Sequence, residues 1–351
     1  MKLATLLWCS LLAQAQPLDL ILAGGRVMDP ESGLDAVRDV GIRGGRIAAI
    51  SATPLSGTVR LHVTGRVVAP GFVDLHAHGQ LPENYRLQAR DGVTTALELE
   101  IGVSPVAAWY AERDGKALIN FGASAGHVAA SMAAMGDTGT FLPRDAAADR
   151  RATPAEKKRI EALVRQGLDE GALGIGFGLA YVPRASRQEI LDLFRLAAAE
   201  RVPCFVHVRY PGPRDPGGVV EAIQEVLADA AVTGAPLHIV HINSSSGPAL
   251  PMTLPMIEGA RRRGLDVTTE SYPYTAGQTR LDSAIFGEGW QQQLGITYKD
   301  LQWVETGERL SAESFARYRK QGGSVIVHSM TEDMIRLAMG RRVSSTLRHP
   351  A

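Results

Sequence analysis

The pattern of apolar and polar positions changes near residue 67. Before that point the apolar runs are short and strand-like, at residues 18–23 (ended by Gly24-Gly25), on both sides of Gly44-Gly45 within 40–50, and at 59–68, where apolar and polar residues alternate. These runs predict a small antiparallel β unit at the start of the folded chain.

After residue 67, short apolar runs alternate with amphipathic helical stretches. In the stretch 187–201, for example, Ile190, Leu193, Phe194 and Ala197 share one helix face. The predicted helices cover 153–170, 187–201, 218–233, 252–263 and 332–339. The predicted strands cover 68–75, 93–100, 117–122, 173–178, 203–208, 237–242 and 265–270. This alternation predicts an α/β fold, a (β/α)8 TIM-type barrel whose eighth strand is missing, since residues 324–327 are too short to supply it.

Composition narrows the classes of function. Among 351 residues, Lys+Arg and Asp+Glu both number 37, so the net charge of zero argues against a nucleic-acid partner. The two cysteines, Cys9 and Cys204, exclude a disulfide framework and a cysteine-rich zinc module.

The first 15 residues have the features of a signal peptide. Lys2 precedes an apolar run, and Ala13-Gln14-Ala15 has the form of a cleavage site. We expect cleavage after Ala15, export to the periplasm or outside the cell, and no membrane attachment afterwards. The expected organisation is a signal peptide at 1–15, a β-sandwich portion at 16–68, a barrel at 69–340 and an aberrant tail at 341–351.

Four histidines stand at the ends of predicted strands: His76, His78, His207 and His241. The carboxyl ends of barrel strands lie together, so these imidazoles are expected to meet and to bind a divalent metal, most commonly zinc. Any single histidine is more readily explained as a hydrogen-bonded core residue, and His62 and His238 are interpreted in that way.

Glu98 and Glu100 fall on the same face of a predicted strand. A carboxylate in an apolar strand is costly unless it is paired or bound to a metal. Glu100, nearest the strand end, is predicted to be a ligand of one metal or of two metals that share it, whereas Glu98 is left as a ligand or a structural ion-pair residue.

Several motifs resemble a known family. Pro-Gly-Phe-Val-Asp-Leu-His-Ala-His at 70–78, after the β-rich opening at 19–30, resembles the amidohydrolase superfamily. The stretches 171–183, 207–209 and 271–279 (Ser-Tyr-Pro-Tyr-Thr-Ala-Gly-Gln-Thr) resemble its N-acyl-D-amino-acid deacylase branch. The similarity extends from about residue 18 to about residue 339.

The resemblance implies a (β/α)8 barrel with a β-sandwich built from both chain ends. It also implies one or two zinc ions at the barrel mouth and hydrolysis of the amide of a small N-acyl-D-amino acid by metal-activated water. It assigns His76, His78, His207 and His241 as metal ligands, and Tyr272 and Arg209 as substrate-binding residues. His127 resembles a third-strand histidine of this branch, with a helix-cap or loop role as an equal alternative.

The sequence departs from the branch at several positions. Glu100 stands where a Cys ligand is usual, and Asn243 and Gln278 replace a Lys and a Ser that help to hold the substrate carboxylate. The branch carries an Asp on the eighth strand as general base, and none is identified here. We therefore expect this chain to be inactive or nearly so, since removal of a general base costs roughly 10²–10⁴-fold in rate.

Three other interpretations are open. A dihydroorotase-like cyclic amidase or an isoaspartyl dipeptidase usually needs a carboxylated Lys on the fourth strand, where this chain has Gly-Ile-Gly-Phe-Gly-Leu at 174–179. A non-catalytic, exported metal-binding barrel is favoured by the absent Asp. A dinucleotide-binding enzyme is suggested only weakly by the glycines of 171–178, because no helix follows them directly. The oligomeric state is not predicted.

Overall fold

The computed structural model describes residues 17–340, which form two compact units that divide between Phe72 and Val73. The sequence placed this boundary after residue 68. The predicted signal peptide at 1–15 and the predicted tail at 341–351 lie outside the described residues. Within residues 17–340, every helix is too short or too polar to span a bilayer.

The first unit is a five-stranded sheet. Its strands are β1 (Leu18–Asp29), β2 (Leu34–Arg43), β3 (Arg46–Ser51), β4 (Gly57–His62) and β5 (Val67–Val68). They pair in the order β3-β2-β1-β4, with β5 also on β1. β1 is antiparallel to β2 but parallel to β4 and β5, so the sheet is mixed, and the expectation of an antiparallel unit was wrong.

Strand β1 continues through the Gly24-Gly25 pair that was predicted to end it. Its register with β2 shifts between Leu22 and Gly25, and Gly24 has a φ of +72°. A glycine in this left-handed region forms a β-bulge without a steric penalty, so the strand bends and then continues to Asp29.

The second unit contains a curled, parallel seven-stranded sheet of TIM-barrel type. The strands are β6 (Phe72–Asp74), β7 (Val93–Val103), β8 (Asn120–Gly126), β9 (Ile175–Gly178), β10 (Cys204–His207), β11 (Leu237–Ile239) and β12 (Val267–Thr269). They lie in sequence order across the sheet, which leaves β6 and β12 at its two edges. The predicted α/β barrel architecture is therefore confirmed for these seven strands.

Helices connect successive strands. They are α1 (Pro82–Arg90), α2 (Val106–Arg113), α3 (His127–Met135), α4 (Ala146–Asp149), α5 (Pro154–Asp169), α6 (Arg187–Glu200), α7 (Val219–Thr233), α8 (Ile242–Ser246) and α9 (Leu250–Arg262). The predicted apolar face of α6 is buried: Ile190, Leu193, Phe194 and Ala197 pack in one core cluster with Val206 of β10. This packing holds the helices against the sheet and fixes the positions of the strand ends.

The chain after β12 forms a separate antiparallel sheet. Its elements are β13 (Gly277–Arg280), α10 (Trp290–Leu294), β14 (Leu301–Trp303), α11 (Ala312–Gln321) and β15 (Ser324–Val327), followed by α12 (Glu332–Met339). The strand order is β13-β15-β14, around a core that contains Trp303, Phe315 and Val325. Residues 324–327 are thus a strand of this sheet and not a barrel strand.

Candidate metal centre

A cavity of about 570 Å³ opens at the carboxyl ends of the parallel strands. Five of its lining residues belong to five different strands or come directly after them: His76 after β6, Glu100 within β7, His207 at the end of β10, His241 after β11 and Glu270 after β12. Other residues of the loops after the strands, and residues between 271 and 329, complete its walls. The strand-end rule therefore brings together side chains that are far apart in sequence.

Glu100 lies between two pairs of imidazoles. Its Oε2 atom is 3.2 Å from His76 Nε2 and 2.9 Å from His78 Nε2. Its Oε1 atom is 2.6 Å from His207 Nδ1 and 2.8 Å from His241 Nε2. Only 3% of Glu100 is exposed. The five predicted ligands are thus brought together, each oxygen of one carboxylate facing two imidazole nitrogens.

A glycine permits the close packing behind Glu100. A Cβ atom on Gly176 of β9 would lie 2.6 Å from the carbonyl oxygen of Leu99 and 2.7 Å from that of Glu100. Any larger residue would therefore push β7 outwards and displace the Glu100 carboxylate from the imidazoles.

Two further carboxylates lie behind the first histidine pair. Glu98 approaches His78 Nδ1 at 2.8 Å, and Glu270 approaches His76 Nδ1 at 2.6 Å. In both rings Nδ1 faces one of these two carboxylates and Nε2 faces Glu100. Glu98 therefore takes the ion-pair role that was left open for it.

Glu270 was not identified from sequence. It ends a predicted apolar strand, as Glu100 does, and that shared position is the signal that could have found it. His238 is a buried, hydrogen-bonded histidine, as interpreted, with its Nδ1 2.8 Å from Thr268 Oγ1, and its Nε2 lies 3.4 Å from Glu270 Oε2. The predicted strand through His238 also ends earlier than expected, at Ile239.

The backbone at His241 is in the left-handed region, with φ +30°. Non-glycine residues adopt this conformation at a cost and are concentrated at functional sites. The turn directs His241 Nε2 towards Glu100, and the hydroxyls of Ser244 and Ser245 lie 3.1 and 3.0 Å from its Nδ1. Helix α8 therefore begins where the strand had been predicted to continue.

The charges of the centre shift its pKa values. Burial alone would raise the pKa of Glu100, but the imidazoles of His76 and His207 hold it well below its usual range. Burial opposes the protonation of His78, yet Glu98 and Glu100 raise its pKa to about 10. The carboxylates thus favour positive charge between the imidazoles, and a metal ion that binds there would compete with the protons on the imidazoles.

The donor set fits a transition metal. Ligand atoms of His76, Glu100 and His241 lie within 4.8 Å of one another. A set of imidazole nitrogens with one carboxylate suits zinc better than calcium or magnesium, because those two ions prefer oxygen ligands only. Each carboxylate oxygen of Glu100 faces one pair of histidines, so the carboxylate could serve one ion or be shared by two ions.

Arg209 is not placed in the cavity, in contrast to its predicted contact with substrate. Its Nε and Nη2 atoms donate to Glu225 at 3.0 and 2.8 Å, and Nη1 donates to the carbonyl oxygens of Pro183 and Ala185. Arg209 is 3% exposed. Its guanidinium is committed to a buried ion pair, so the structure gives it a scaffolding role.

Tyr272 does line the cavity, as predicted. Its carbonyl oxygen accepts a hydrogen bond from Asn243 Nδ2 at 2.9 Å. Asn243 therefore braces the Tyr272 backbone from within the protein. A contact between the Tyr272 hydroxyl and substrate stays a prediction.

Two other histidines lie outside the centre. His127 is fully buried and pairs with Glu189 at 2.9 Å. His62 is exposed on β4, so its interpretation as a core residue was wrong.

Comparison with known proteins identifies the family. Residues 63–339 match the amidohydrolase family, and the chain belongs to it. It is 32% identical over 308 residues to D-aminoacylase and 33% identical over 303 residues to N-acyl-D-glutamate deacylase, both from Alcaligenes xylosoxydans xylosoxydans. These alignments cover 77% and 76% of this chain, which spans about 60% of the length of either relative.

Solved structures agree with this placement. The N-acyl-D-glutamate deacylase of Bordetella bronchiseptica, complexed with zinc and a phosphonate inhibitor, has a TM-score of 0.76 at 26% identity, over 93% of this chain and 74% of that one. A D-aminoacylase structure has a TM-score of 0.71 at 25% identity, over 91% and 73%.

Proposed function

We propose that this chain carries the metal centre and substrate cavity of a zinc-dependent hydrolase that cleaves the amide bond of N-acyl-D-amino acids. The observation that carries the proposal is the buried Glu100 carboxylate between the pairs His76/His78 and His207/His241 at the cavity. Similarity to a D-aminoacylase and an N-acyl-D-glutamate deacylase supports the substrate class.

The chemistry follows from this donor set. When bound, zinc polarises an amide carbonyl and lowers the pKa of water towards ~7, which supplies a nucleophile at neutral pH. His76 and His78 would hold the ion on one side of Glu100, and His207 and His241 would hold it, or a second ion, on the other side.

The substrate carboxylate would be held by neutral donors. Among the described cavity-lining residues there is no Lys or Arg. Tyr272, Gln278, Ser244 and Ser271 present hydroxyl and amide groups instead. We propose that these groups bind the carboxylate in place of the cationic contact that Arg209 was expected to make.

Turnover by this chain is expected to be low. The carboxylates that line the cavity within residues 17–340 are Asp74, Glu100 and Glu270. Glu100 and Glu270 contact imidazoles, and Asp74 accepts a hydrogen bond from the backbone N–H of His76 at 3.0 Å. A carboxylate held in this way is a weak general base, and a weak or absent base lowers the rate by roughly 10²–10⁴-fold.

The test is a zinc-dependent assay of the purified chain. N-acetyl-D- and N-acetyl-L-amino acids are incubated with zinc-loaded and chelator-treated protein, and released amine is measured. We expect slow, zinc-dependent release from D-substrates, abolished by Glu100→Gln. Glu189→Gln is the matched control, because it alters another buried Glu–His pair outside the centre.

Three outcomes would contradict the proposal. Cleavage of cyclic amides in preference to N-acyl-D-amino acids would favour the cyclic-amidase alternative. Zinc binding without turnover of any amide would favour the non-catalytic metal-binding barrel. Release that is independent of zinc would remove the metal from the chemistry.

A further inference from the structure

Glu270 connects the two edges of the seven-stranded sheet. It directly follows edge strand β12, whereas His76 follows β6, the strand at the opposite edge. Glu270 Oε1 lies 2.6 Å from His76 Nδ1, although 194 residues separate the two in sequence. The contact therefore joins the first and the last strand of the described sheet at its carboxyl end.

Glu270 is itself held in place by the neighbouring strand connection. Its carbonyl oxygen accepts the backbone N–H of Ile242 at 2.9 Å, and its Oε1 is 3.4 Å from the backbone nitrogen of His241. His238 Nε2 lies 3.4 Å from Oε2. The backbone of Glu270 is thus tied to the start of α8, and Oε1 is the carboxylate oxygen that faces His76.

This acceptor decides which nitrogen of His76 can bind a cation. When Nδ1 carries the proton and donates it to Glu270, Nε2 is left with its lone pair directed towards Glu100 Oε2, 3.2 Å away. A ligating imidazole is generally oriented by such a partner, and the partner raises the basicity of the ligand. Glu98 stands in the same relation to His78, but it comes from the strand next to β6 and spans no gap in the sheet.

We propose that Glu270 is a positioning residue for metal binding, which holds His76 in its ligating tautomer and couples ion binding to the contact between β6 and β12. The inference rests on the proposed metal centre. It adds a role for a residue that was not among the predicted ligands but contacts one of them, His76.

The test is the zinc affinity of Glu270→Gln, measured by competition with a chromophoric chelator. Glutamine keeps the size of the side chain but removes the charged acceptor. We expect zinc affinity to fall by roughly 10–100-fold, the usual effect of removing such an outer partner. Glu189→Gln, which alters the 2.9 Å pair with His127, should leave zinc affinity unchanged.

A His76→Ala background shows whether Glu270 acts through His76. If it does, adding Glu270→Gln to His76→Ala causes no further loss of zinc affinity, because coupled residues are non-additive. Losses that simply add would overturn the inference.

A purely structural role gives a different result. Glu270→Gln would then lower the melting temperature of zinc-free and zinc-loaded protein equally and leave zinc affinity unchanged, which would also overturn the inference. A wild-type chain that binds no zinc would refute the proposed centre itself, an outcome distinct from wild-type binding that Glu270→Gln fails to weaken.

Discussion

At the scale of single residues, position on a strand was a better guide than position in a motif. His76, His78, His207, His241 and Glu100 were predicted from where strands end, and the structure brings them together. Arg209 was assigned to substrate by the resemblance of the stretch 207–209 to the deacylase branch. The sequence cannot show that the Arg209 guanidinium forms an ion pair with Glu225 of α7, the helix that follows β10.

A carboxyl near this ion pair gives a pH-dependent prediction. Burial, and then repulsion from Glu225, raise the pKa of Asp229 to about 6 from an ordinary value of 3.8. Between these values the folded state binds more protons than the unfolded state, so the free energy of unfolding falls as pH rises and the loss is complete above pH 6. We expect Asp229→Asn to be more stable than wild type at neutral pH by about 1 kcal/mol, after discounting for partial exposure.

Urea denaturation at neutral pH and below pH 4 checks this expectation. The stability difference should vanish at the acidic pH, where Asp229 is protonated in both states. Asp192→Asn, which alters an exposed carboxylate paired with Arg195 on α6, should show no gain at neutral pH. A gain of the same size at both values of pH would contradict the electrostatic explanation.

At the scale of elements, the apolar runs predicted the existence of strands better than their limits. All seven barrel strands overlap their predicted ranges, because a buried parallel strand is apolar throughout. The limits moved where a local conformation intervened, at the bulge of β1 and at the turn of His241. The β13-β15-β14 sheet was not predicted, since its strands are short and pair across long connections.

Helix α5 begins at a capping box formed by Thr153 and Glu156. The Thr153 hydroxyl accepts the backbone N–H of Glu156 at 3.3 Å, and Glu156 Oε2 accepts the N–H of Thr153 at 2.7 Å, which forms a capping box. We expect Thr153→Ala to lower the free energy of unfolding by about 1 kcal/mol. Chemical denaturation measures the change, and Thr153→Ser is the control that keeps the cap. Equal destabilisation by both substitutions would show that the cap is not responsible.

At the scale of the whole molecule, the proposed metal centre joins strands that lie far apart in the chain. His76 and Glu270 lie at the two edges of the sheet, and only the folded chain brings them within hydrogen-bond distance. Sequence reasoning selected the candidate ligands because each lies at or near the end of a predicted strand. It missed the contact between edges because that contact depends on the curl of the sheet.

Metal removal should therefore affect global stability. Zinc at 100 times its dissociation constant should add about 2.7 kcal/mol to the free energy of unfolding. We expect calorimetry to show a higher melting temperature with zinc, reversed by a chelator, and no such rise with magnesium, which prefers oxygen ligands. A melting temperature that does not respond to zinc would argue against the proposed centre.

Part of the cavity wall comes from a segment of the chain that follows all the histidines of the centre. Gln278 and Thr279 of β13 and Val327 of β15 line the cavity, yet none of them contributes to the seven-stranded sheet. Residues of this segment that would contact a substrate can consequently change in evolution independently of the residues that would take part in the reaction. An exchange of the segment 277–329 between family members would be a natural unit of recombination for laboratory evolution, with the imidazole cluster inherited intact.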